Sequence, residues 1–139
     1  MWSKRESVDY ALQRRRSLAT LHGRVRTLTA TDLCDADPWL IRAALHHGQL
    51  SQTRCPVADC GRLVHLRYVF GDQLGQYSGR IKSQPELDEM ENQFGEFKVC
   101  VVEVCTDCGW NHMIESYVLG DGIKRRPPRR QLTVEDIYG

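Results

Sequence analysis

No stretch of this chain stays apolar for about 18 residues, and no apolar segment follows its first, basic residues. A membrane-spanning helix and a secretory signal are therefore not expected, and the chain reads as a soluble, cytoplasmic protein. Net charge is nearly missing as well: 19 basic side chains against 18 acidic leave +1. Phosphate-cradling loops are absent. The glycine-punctuated run from Gly71 to Gly79 is not followed by Gly-Lys-Ser/Thr, and its spacing does not fit a dinucleotide loop. No nucleophile stands in a recognisable arrangement with a base. His112 with Glu115, or His46 with His47, could be put forward as acid–base groups, yet ordinary surface or helix-end roles account for them. These absences argue against an enzyme, a small-molecule substrate and a membrane partner.

What the chain does have is six cysteines, four of them in two tight turns. One turn reads Cys55-Pro56-Val57-Ala58-Asp59-Cys60-Gly61 and the other Cys105-Thr106-Asp107-Cys108-Gly109. The glycine after each second cysteine can adopt positive φ, which lets the chain curl back and aim backbone N–H groups at sulfur. In a reducing compartment such pairs argue for metal rather than disulfides. Four thiolates from two facing turns make a closed, tetrahedral Zn2+ site, so Cys55, Cys60, Cys105 and Cys108 are the expected ligands. A redox dithiol at Cys105 and Cys108 is disfavoured, because its first cysteine would open a helix and the residues after Cys108 read as a strand. Cys34 and Cys100 are expected to be small packed side chains, and His112 and Asp59 rank behind the thiols as ligands.

Local patterns place these turns in an α+β chain. Residues 3–22 are expected to be helical, with Ser3 and Glu6 as a capping box and Val8, Ala11, Leu12, Leu18 and Ala19 facing the core. Asp37-Pro38 opens a second helix that Gly48 stops. Residues 49–54 are a link. Residues 62–70 alternate as a half-buried strand, with Val64, Leu66, Tyr68 and Phe70 on one face. Ser83-Gln84-Pro85-Glu86 opens a short helix over 84–94, whose outer carboxylates read as a solvated face. Residues 97–104 and 109–119 are strands entering and leaving the second turn. The expected architecture is a zinc ribbon, a three-stranded antiparallel sheet with the metal at one end, over residues 49–120. Helices precede it over residues 1–48, and a basic, flexible tail follows over 121–139.

Several stretches together resemble one family. They are Val8–Leu12, Cys34–Pro38, Leu40–Ala44, Tyr68–Gly71, Val102–His112 and Ser116–Gly120. The pattern is similar to an uncharacterised actinobacterial family of about this length, regarded as zinc-ribbon-like. The resemblance implies the fold, an actinobacterial origin and a cytosolic location, and carries no activity.

Charge is distributed unevenly. Residues 1–30 carry seven basic side chains against two acidic, residues 31–120 seven against thirteen, and residues 121–139 five against three. Basic ends around an acidic middle point to a non-enzymatic module docking on RNA, DNA or a nucleoprotein machine such as RNA polymerase or the ribosome. Arg14, Arg15, Arg16, Lys124, Arg125, Arg126, Arg129 and Arg130 would contact phosphates, with Trp110 and Tyr68 as stacking platforms or as core. The alternative is a protein–protein adaptor, favoured by the low net charge and the acidic centre.

Overall fold

Residues 97–104 are rich in valine and, apart from exposed Lys98 and half-buried Val102, are buried on both faces, and the sheet is built around them. The computed structural model describes residues 4–22 and 34–124. In chain order its elements are β1 (Arg5–Asp9), α1 (Ala11–His22), α2 (Pro38–His47), β2 (Gln49–Arg54), β3 (Arg62–Phe70), a 3-10 segment (Asp72–Tyr77), α3 (Gln84–Met90), β4 (Phe97–Val104) and β5 (Asn111–Leu119). The strands form one antiparallel sheet in the order β1-β5-β4-β3-β2. The expected three strands are its centre, in the expected order.

Two edges were not expected. Residues 5–9 are a strand pairing with β5, not the first turns of a helix. Glu6 has φ of 51°, which no helix interior tolerates, and the helix begins only at Ala11, whose N–H is held by Asp9 Oδ1 at 2.7 Å. Val8 and Leu12 are accordingly exposed, while Leu18 packs at the cysteine end. Residues 49–54 are a strand along β3 rather than a link. Both edges satisfy backbone groups of a neighbouring strand, a gain that side-chain periodicity does not report.

The alternation of β3 and β4 sorts the core into two layers. Val69, Phe97, Val99 and Val101 face one side and pack with Leu74, Leu87, Met90, Tyr117 and Leu119. Burying a Leu or Phe of this kind contributes about 1.5–3 kcal/mol relative to exposure. Leu66 and Val104 face the other side, where α2 lays Ala44 against them. Local signals start both short helices where anticipated, but α3 ends at Met90 rather than continuing to residue 94. Asp37 accepts the N–H of Leu40 at 3.0 Å and Pro38 occupies the first turn of α2. Ser83 and Glu86 complete a capping box on α3.

Candidate metal centre

The cysteine turns are the two hairpin connections β2–β3 and β4–β5. Because β3 and β4 are antiparallel, with Val64 opposite Val104, the start of β3 lies beside the end of β4. Both connections therefore fall at the same end of the sheet. Each turn is closed by its own backbone. Cys55 N–H donates to the Gly61 carbonyl at 2.8 Å and Asp59 N–H to the Cys55 carbonyl at 3.2 Å; Cys105 N–H donates to Trp110 at 2.8 Å and Gly109 N–H to Cys105 at 2.9 Å. The sharp residue of the second turn is Gly109, with φ of 88°; in the first it is Asp59, with φ of 51°, rather than Gly61.

The result is that the Sγ atoms of Cys55, Cys60, Cys105 and Cys108 all lie within 4.8 Å of one another, an arrangement that could hold a metal ion. Cys55 and Cys105 are buried, Cys108 is half-buried and Cys60 is exposed. Leu63 and Trp110 floor the site. Burial opposes ionisation of Cys55, but the N–H groups of Ala58 and Val57 and the neighbouring thiols outweigh it and draw this thiol down to about 7. Cys108 is driven the other way: burial raises its pKa first, then its contacts with Cys34, Cys55 and Cys105. One sulfur is thus readied as a thiolate while its neighbour resists a second negative charge. A bound cation removes that conflict, because it lets all four ionise together.

A fifth thiol belongs to this neighbourhood. Cys34 Sγ–H donates to Cys108 Sγ at 3.5 Å, close to the 3.6 Å between Cys55 Sγ and Cys108 Sγ. The segment carrying it is clipped onto the second turn. Ala36 N–H donates to the Gly109 carbonyl at 3.0 Å, and Asn111 Nδ2 donates to Asp35 Oδ1 at 2.9 Å. Cys34 nevertheless stays outside the four-sulfur group. No linear spacing announces this contact, since 74 residues separate the two cysteines. Cys100 is buried in mid-strand opposite Tyr68 and Ser116, burial raises its thiol pKa, and it packs as expected. Asp59 pairs with Arg54, and His112 stacks on Trp110, its Nδ1 2.6 Å from the Met113 carbonyl; neither joins the sulfurs.

Beside the site lies a polar assembly that no local pattern announces. Glu103 is only 3% exposed, pairs with Arg14 Nε, and accepts Trp110 Nε1–H at 3.0 Å. Arg14 is thereby engaged inside the fold, whereas Arg15, Arg16 and Lys124 are exposed. Arg125, Arg126, Arg129 and Arg130 lie outside the described residues. Trp110, 1% exposed, is core and offers no face to a base; Tyr68 remains partly accessible.

Residues 1–133 match the model of a family of unknown function, DUF5318. The chain belongs to that family. Curated relatives of this DUF5318 chain include an uncharacterised protein of Mycobacterium tuberculosis and one of Mycobacterium bovis. Each is 44% identical over 123 residues, spanning 88% of this chain and 88% of the relative. No solved structure matches this DUF5318 chain. No helix among its described residues is long and apolar enough to cross a membrane.

Proposed function

We propose that the protein is a non-enzymatic binding module of the reducing cytoplasm, a zinc ribbon widened by β1 and β2, that docks on nucleic acid or a nucleoprotein machine such as RNA polymerase or the ribosome. The observation that carries the zinc assignment is the convergence of four sulfurs within 4.8 Å. Tetrahedral Zn–S bonds of about 2.3 Å place sulfurs roughly 3.8 Å apart, and Cys55 and Cys108 already stand at 3.6 Å. Soft thiolate donors favour Zn2+ over Mg2+ or Ca2+. A closed set of four sulfurs leaves no position for an activated water, so the metal's role is structural. Zinc in small finger peptides supplies about 10–16 kcal/mol of apparent binding free energy, several times what a small core leaves over.

The docking partner follows from charge. Arg15, Arg16 and Lys124 are exposed on a chain whose basic residues gather toward its ends. Phosphate contacts of this kind make affinity fall steeply with salt. Metal analysis of protein from zinc-replete cells should give one Zn2+ per chain, and RNA or DNA binding should weaken with salt and on deletion of residues 121–139. Metal-free protein that is folded, or binding indifferent to both salt and tail, would refute this function. The exposed apolar side chains Trp39, Leu45 and Leu50 favour a second reading, a protein–protein adaptor. A pull-down surviving nuclease would select it.

A further inference from the structure

Helix α2 and the outer half of β3 flank an open groove of about 720 Å³ whose lining includes none of the cysteines and none of the arginine triplet. Its helix side carries Trp39, Arg42 and His46, spaced three and four residues apart and so aligned on one stripe. The opposite stripe, with Ala44 at its centre, packs on the sheet. Its far wall is Tyr68 of β3 and Arg80, on the segment that bonds to the edge of β3 through Val69 N–H to Arg80 O at 2.9 Å.

Three features of this groove point to one kind of ligand. First, Trp39 is 76% exposed, a large apolar ring kept in water with no core reason for it. Second, the charged lining is Arg42 and Arg80 against one carboxylate, Asp37, which is already occupied in capping α2. Neither arginine makes an ion pair among the described residues. Instead each guanidinium lies over a ring, Arg42 at 5.1 Å from the Trp39 centroid and Arg80 at 5.0 Å from that of Tyr77. Third, Arg67 and Lys82 line a second hollow past His47 along the sheet edge, where Lys82 already pairs with Glu86 at 3.4 Å. This gathering occurs within residues 31–120, where acids outnumber bases by thirteen to seven.

We propose that this groove is a binding site for single-stranded nucleic acid, with a base stacked on Trp39 or Tyr68 and phosphates against Arg42 and Arg80. Stacking surfaces flanked by guanidinium groups that have no carboxylate partner among the described residues, Arg42 donating only to the Pro38 carbonyl at 3.3 Å, suit splayed bases and a backbone. An acidic peptide would use the arginines but leave the rings without partners. A volume within the range of about 300–1,000 Å³ for small-ligand sites has room for an unstacked nucleotide. The proposal rests on the nucleic-acid reading above and specifies where and in what form the strand binds.

The test uses full-length, zinc-loaded protein and fluorescence anisotropy with labelled oligo-U, oligo-dT and a duplex of equal length, across a salt series. Trp39→Ala should weaken single-strand binding about 5- to 150-fold, the equivalent of one lost stacked base. Arg42→Gln with Arg80→Gln should flatten the log–log salt slope by about 1.4, two phosphates at roughly 0.7 each. Both variants are at exposed positions, so unchanged zinc content and melting temperature check the fold. Binding of oligo-U, oligo-dT or both, lost in these variants, supports the site. Groove variants that bind like wild type, while Arg15→Gln/Arg16→Gln or tail deletion abolishes binding, overturn the groove and leave the nucleic-acid reading standing. Wild-type protein that binds no oligonucleotide overturns both. Preference for the duplex, or displacement by poly-glutamate as effective as by unlabelled oligonucleotide at equal charge, also overturns the groove assignment.

Discussion

Truncating Arg14 should be among the most damaging single changes available at the surface of α1. Its Nε pairs with the Glu103 carboxylate, which is 3% exposed and, among the described residues, otherwise receives only Trp110 Nε1–H at 3.0 Å. Arg14→Ala would leave a buried charge with one neutral donor. Losing one partner of a buried pair costs about 3–5 kcal/mol. The Arg14 side chain is itself 22% exposed, so water reaches the gap and the lower end, about 3 kcal/mol, is expected. Exposed Arg15 on the same helix should change stability by no more than about 0.5 kcal/mol when replaced by alanine. The measurement is urea unfolding followed by circular dichroism at one fixed free-zinc concentration, because metal binding shifts apparent stability by mass action. With an urea slope of about 1–3 kcal/mol per molar, the Arg14→Ala midpoint should fall by roughly 1–3 M. Adding Glu103→Gln to Arg14→Ala should recover part of the loss, since the uncompensated charge is gone; coupling of about 0.5–3 kcal/mol is typical for residues in contact. If Arg14→Ala and Arg15→Ala unfold at the same urea concentration, the buried pair has no structural role and Arg14 is free for a partner.

Three further outcomes follow from the cysteine end and the sheet. Cys105→Ser should abolish stoichiometric metal, whereas Cys34→Ser should retain one metal ion per chain by elemental analysis, because Cys34 touches Cys108 from outside the four-sulfur group. Metal loss in Cys34→Ser equal to that in Cys105→Ser would show a different ligand set. Gly109→Ala should lower stability by at least about 1 kcal/mol in thermal melts, since its φ is 88° and a Cβ would sit 3.0 Å from the Cys34 carbonyl oxygen. A melt unchanged by Gly109→Ala would refute the close approach of the two segments. Burial holds the His65 imidazole below its ordinary pKa, with Glu103 pulling weakly the other way. The unfolded chain therefore binds the proton more readily, so stability contributed here is present above about pH 6.5 and falls as pH drops through the folded value. His65→Gln should remove that part of the pH dependence, read as the difference between variant and wild type; identical profiles would count against a desolvated His65.

Features set by neighbours in the chain were legible without coordinates. Asp37-Pro38 and Ser83 with Glu86 cap their helices because a side chain three residues away reaches an otherwise unpaired N–H, a relation that is local by geometry. The alternation of residues 62–70, the valine run of 97–104 and the two cysteine turns fixed three adjacent antiparallel strands. Antiparallel pairing then obliges both turns to share one end of the sheet, which is why four cysteines that cluster in space could be named from spacing alone. Residues 5–9 misled because their helical signals, a serine and a glutamate three apart, were outweighed by hydrogen bonds to a strand more than a hundred residues later.

Contacts across such distances leave no period in the sequence. Arg14 finds Glu103 across 89 residues and Cys34 finds Cys108 across 74, and in both cases the pairing exists only because α1 and the segment before α2 are laid against the end of the sheet. Likewise Trp39, Tyr68 and Arg80 sit on three separate segments and share one groove only after α2 has packed on β3. The sequence by itself determined which turns carry the thiols and where α2 and α3 begin, since those depend on bonds and angles within a few residues. Tertiary structure alone decided which arginine pairs with the buried Glu103, which thiol is the fifth, and where basic and aromatic side chains gather, because packing brings together residues that no local rule connects.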